Sequence, residues 1–124
     1  MIILDTNYMV AMSDREKDAN DAVVRWMREG RSMATSAAAW MEFCTGPIYP
    51  EDLESMEWLL EDRILPFGRA EAELAARIYR VARCRRDDRM DTIIAATAIV
   101  SKAALATRDT RDFTRFVPFG LKLA

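Results

Sequence analysis

The sequence predicts an α/β fold, a parallel sheet covered by helices on both faces, and three observations predict it. Short apolar runs alternate with segments of helical periodicity, so that each strand is followed by a helical crossover of the usual right hand. Ile2-Ile3-Leu4 is uninterrupted rather than alternating, as in a strand buried on both faces. The chain has 124 residues, 51% of them apolar, which suits one domain over residues 1–124 with a real core and is too short for two.

The elements follow in order. The first strand stops at Asp5-Thr6-Asn7, a polar turn that passes into a helix and puts Asp5 at the strand's C-terminal tip. From Arg15 to Arg28 the residues Ala19, Ala22, Val23, Trp26 and Met27 recur at helical spacing, with Gly30 as a stop signal. Residues 32–36 are β-compatible and lead into a short helix ended by Gly46-Pro47, on which Glu42 rides. Pro50-Glu51-Asp52 opens a helix running to Glu61, because Pro tolerates the first turn and carboxylates favour the positive end of the macrodipole. Ile64-Leu65-Pro66-Phe67 reads as a strand. The stretch from Arg69 to Arg83 reads as an amphipathic helix with Ala72, Ala75, Ala76, Tyr79 and Ala82 inward. After a charged break at 85–89, Met90 to Lys102 is a helix apolar nearly all round, the most buried one. Ala103 to Thr107 is a short strand, and 116–121, with Pro118 and Gly120, a weak edge strand.

Composition narrows the chemistry. Against 20 acidic residues stand 18 basic ones, a net charge of −2, so any contact with nucleic acid must be local. With no histidine, the commonest general base and the commonest transition-metal ligand are both missing. Cys44 and Cys84 fit no zinc or redox spacing and read as reduced, buried thiols. The opening residues Met1 to Asp5 show neither a basic n-region nor a small-residue cleavage site, and the longest apolar run, 93–100, is far short of a membrane span. A cytoplasmic protein is the expectation.

Carboxylates therefore carry any catalysis. In an open α/β sheet the ligand crevice lies beyond the carboxyl ends of the strands, and Asp5 and Asp109 both fall there. Glu42 and Asp91 sit on helices beside them. Each acid also has a bland reading. Asp5 could be a helix N-cap, and Asp88-Arg-Met-Asp91 has the form of a capping box. Glu42 among Trp40, Met41 and Phe43 is harder to dismiss, since a charge is costly to bury there without a partner.

Four fragments in the right order resemble PIN-domain nucleases, and within them the VapC-like toxins of bacterial toxin–antitoxin pairs. They are Met1 to Asn7, Ser36 to Gly46, Asp91 to Ala98, and Leu105 to Phe113. The resemblance covers essentially the whole chain and implies an α/β/α sandwich with strand order 3-2-1-4-5. It also implies an acidic quartet at Asp5, Glu42, Asp91 and Asp109, with Asp112 as an alternative fourth member. Thr6, Asn7 and Thr107 would support them from behind. Such a site would hold one or two Mg²⁺ or Mn²⁺ ions, since hard carboxylate oxygens suit these cations and four crowded carboxylates would otherwise repel one another.

The resemblance further implies an endoribonuclease toxin acting on RNA, restrained by a cognate antitoxin and working as a homodimer. Arg85, Arg86, Arg89 and Arg108 belong to the one locally basic stretch and are candidates for RNA phosphates; a solvated helix face is the competing reading. Two rivals stand beside this. One is a PIN domain that has lost catalysis and binds RNA or protein. The other is an aspartate-nucleophile phosphohydrolase of the haloacid dehalogenase type, which expects Asp-x-Asp where this chain has Asp5-Thr6-Asn7.

Overall fold

In a computed structural model describing all residues 1–124, Ile2, Ile3 and Leu4 have no exposed surface and form the central strand of a five-stranded sheet. The strands are β1 (Ile2–Leu4), β2 (Met33–Ser36), β3 (Ile64–Leu65), β4 (Ala104–Ala106) and β5 (Lys122–Leu123). Their order is β3-β2-β1-β4-β5, every pair parallel. Leu4 lies opposite Ala106, so β1 and β4 end at the same level and their following loops leave side by side.

Seven helices flank the sheet in the layered α/β/α arrangement: α1 (Thr6–Ser13), α2 (Lys17–Arg28), α3 (Ala37–Thr45), α4 (Pro50–Leu60), α5 (Arg69–Val81), α6 (Arg89–Val100) and α7 (Thr110–Thr114). Their ends follow local chemistry. The Ser36 hydroxyl accepts from the Ala39 amide at 3.0 Å to cap α3. Pro50 with Glu51 and Asp52 starts α4 as expected. Six residues of α6 are buried, Thr92 and the block from Ile94 to Ala98, so it is a core helix. Thr97 can be buried there because its hydroxyl donates to the Ile93 carbonyl at 2.9 Å.

Several expectations need correction. The C-terminal edge strand is Lys122–Leu123, whereas 117–119 is a 3-10 turn and Gly120 supplies the positive φ of 106° that ends it. The chain after Asp109 makes the unpredicted helix α7, too short to show periodicity. The charged break before α6 contains a 3-10 turn at Arg86–Asp88. On α5 the inward residues are Ala75 and Ile78, while Ala76 points outward. Cys44 is exposed and Cys84 half-buried, so neither thiol is sealed in the core. No helix is long and apolar enough to cross a membrane.

Candidate active site

The loops after β1 and β4 are tied together by a hydrogen-bond network linking residues about a hundred positions apart. Asp5 is 4% exposed and accepts from the Thr6 amide at 2.8 Å through one carboxylate oxygen and from the Thr107 hydroxyl at 2.7 Å through the other. The same Thr107 oxygen accepts from the Asp109 amide at 3.0 Å. Asn7 donates from its amide nitrogen to Asp109 at 2.8 Å and accepts from the Arg108 backbone N–H at 2.9 Å. Asp5 is thus an N-cap of α1, as its bland reading had it, and it also faces the cleft.

That cleft has a volume of about 600 Å³ and is lined by Asp5, Glu42, Asp91 and Asp109 together with Thr6 and Asn7. Thr107 stands behind it, in contact with Asp5. Asp112, one helical turn beyond Asp109, is exposed and does not line the cleft. The capping-box reading of Asp91 gives way to another: it is Asp88 that accepts a backbone bond, from the Arg85 N–H at 2.7 Å, across the 3-10 turn. Asp91 is left 3.7 Å from the Arg115 guanidinium, which also bridges to Asp88 at 3.2 Å.

Burial and crowding act in the same direction on Asp5, Glu42 and Asp91. Burial raises Asp5, with the bonds from Thr107 and Thr6 opposing it and the charge of Asp109 adding to it. Burial and then the charge of Asp5 raise Glu42. Asp91 is pushed up to about 6, by burial first and then by Asp5, with Arg115 opposing. A cation is what relieves such repulsion, and an all-oxygen donor set without histidine suits a hard divalent ion. As the side chains stand, no three acids are arranged to hold an ion together, so coordination would require carboxylates to rotate inward. The donors fit by chemistry and by shared cleft, and their final geometry would be set on binding.

Two acids that line the cleft carried no sequence signal: Glu16, just before α2, and Asp87, inside the 3-10 turn. Arg108 also lines it, but its guanidinium is engaged by Asp18 at 2.6 and 2.8 Å and by Glu16, and lies 5.6 Å from the Tyr8 ring centre. Arg85, Arg86 and Arg89 are exposed, and Arg89 lies 5.6 Å from the Tyr79 ring centre.

The sequence profile of the PIN domain matches residues 2–117. The chain belongs to the PIN-domain family. Among solved structures, this PIN domain is similar to FitAcB from Neisseria gonorrhoeae, with 26% identity over 99% of this chain and 96% of that one and a TM-score of 0.69. A toxin–antitoxin complex from Klebsiella pneumoniae matches at 24% identity over 91% and 90%, TM-score 0.74. VapBC2 from Rickettsia felis, bound to a DNA fragment from its promoter, matches at 20% over 100% and 98%, TM-score 0.78. The last two show the fold alone, which is VapC-like. No curated protein sequence matches the chain significantly.

Within the PIN domain, Thr107→Val tests the network directly. It leaves one Asp5 oxygen and the Asp109 amide without their partner, and a buried group stripped of its bond costs about 1–3 kcal/mol. Urea unfolding should show a loss in that range; an unchanged midpoint would mean the bonds add nothing.

Proposed function

We infer that this PIN domain, one domain spanning residues 1–124, is an endoribonuclease that hydrolyses RNA phosphodiesters with Mg²⁺ or Mn²⁺, and that it is the toxin of a toxin–antitoxin pair. The observation that carries the reading is the meeting of Asp5, Glu42, Asp91 and Asp109 in one cleft at the C-terminal ends of β1 and β4. In the proposed mechanism a divalent cation held by these four would neutralise phosphate charge and lower the pKa of an attacking water. The protein's own part is orientation. Thr107 and the Thr6 amide fix both oxygens of Asp5, Asn7 aims Asp109, and Arg115 restrains Asp91. Arg85, Arg86 and Arg89 lie on the segment that leads into Asp91, where exposed guanidinium groups would take RNA phosphates. Arg108, spent on Glu16 and Asp18, serves this reading as part of the cleft wall.

The antitoxin is proposed from the neighbours, one of which is described as a toxin–antitoxin complex. An apolar groove between α2 and α4 supports it: Trp58 is 73% exposed there and Val24 45%. A homodimer is proposed from the family alone. The central test is incubation with mixed RNA and Mn²⁺, with and without chelator. The expected result is chelator-sensitive cleavage leaving 5′-phosphate and 3′-hydroxyl ends. RNA binding without cleavage would favour the binding module instead.

A further inference from the structure

A second cavity, of about 310 Å³, adjoins the acidic cleft, with Val10 and Glu42 lining both. Its size is at the lower end for small-ligand sites. Phe43 and Ile48 supply an apolar wall, and Tyr49, 74% exposed just before Pro50, stands at the margin. Three carboxylates, Asp14, Glu42 and Asp52, line it against one cation, Arg15, whose Nη1 is held by Asp52 at 3.2 Å and by the Ser13 carbonyl at 2.7 Å; the hydroxyls of Ser13 and Tyr49 can donate or accept.

Such walls repel a phosphate, so an RNA strand threaded through the cleft can place only a neutral part of the neighbouring nucleotide here. An apolar floor beside an exposed tyrosine suits a base, which stacks on aromatic rings whatever its sequence. Carboxylate acceptors then choose among bases. Guanine presents two adjacent N–H donors on its Watson–Crick edge, which a carboxylate can accept together, much as it accepts both arms of an arginine. Uracil presents a single N–H between two carbonyl oxygens, which a carboxylate repels. We propose that this cavity is a nucleobase subsite flanking the scissile phosphate, selecting guanine over uracil through the Asp14 carboxylate, with Tyr49 stacked on the base.

The proposal rests on RNA being the substrate, so its test has one arm that needs no cleavage. In the first arm, guanosine and uridine are titrated into the isotope-labelled full chain without divalent metal while backbone amide resonances are followed. Guanosine should shift Gly46, Ile48 and Tyr49, uridine should leave them in place, and Tyr49→Ala should weaken the guanosine response. Equal response to both nucleosides, none to guanosine, or shifts of these amides by blocked arginine alone would overturn the subsite, the last by assigning the cavity to a cationic side chain. In the second arm, cleavage ends from randomised RNA with Mn²⁺ are sequenced. Guanine should be enriched beside the cut by about tenfold or more, and Asp14→Asn should remove the enrichment. Cleavage without base preference overturns the subsite. Absence of any cleavage overturns the nuclease reading, and the nucleoside arm still decides the cavity.

Discussion

Asp5→Asn is expected to lower metal-dependent RNA cleavage by at least about 100-fold while leaving the fold as stable as before or more so. Asp5 is 4% exposed and central to the cleft, and its charge raises both Glu42 and Asp91. Asparagine keeps the shape and one acceptor oxygen, so the Thr6 amide keeps its partner, and the Thr107 hydroxyl can accept from the new amide group. What disappears is the charge, along with the penalty of burying it without a counterion. The combination separates a catalytic role from a structural one. An N-cap whose only task is to start α1 would leave cleavage intact, because asparagine caps as well as aspartate. Cleavage rates and thermal unfolding on the same preparation give both answers.

Asp91→Asn carries the second large effect, and its sign depends on pH and metal. With its carboxyl raised from 3.8 to about 6, the folded chain holds a proton that the unfolded chain has already released across that window. Metal-free stability contributed by this group therefore falls as pH rises from about 4 to 6, and the full penalty remains above it. Because the side chain is 32% exposed, solvent screening trims the penalty to about 1–2 kcal/mol. Without metal, Asp91→Asn should be more stable than wild type at pH 8 by that amount, and the advantage should vanish near pH 4. Added Mn²⁺ should reverse the ranking at pH 8, since only the intact acid set gains binding energy in the folded state. Thermal melts at both pH values with and without Mn²⁺ check this; equal stabilisation of the two proteins by Mn²⁺ would remove Asp91 from the ion's ligands.

Elements with a strong local signature were legible in the sequence. The apolar triplet of β1, the block of small and apolar residues in α6 and the Pro-Glu-Asp start of α4 each name their structure through burial or capping. The C-terminal segment was not legible, because Phe113 and Phe116 are buried by contacts with elements far away in sequence and α7 is too short to declare a period. Asp5 and Asp109 were visible as site candidates because both follow strands. The bond from Asn7 to Asp109 and the diversion of Arg108 to Glu16 and Asp18 depend on tertiary approach across about a hundred residues, which no local pattern encodes.

The most direct measurement of the central claim is Mn²⁺ binding followed by electron paramagnetic resonance, in which the free ion's six-line signal is lost on binding. Wild-type protein should take up one or two ions per chain at neutral pH, with uptake weakening as pH falls through 6 and lost in Asp5→Asn. Undiminished free-ion signal at millimolar protein, or equal uptake by wild type and Asp5→Asn, would contradict a metal-dependent nuclease centred on these four acids.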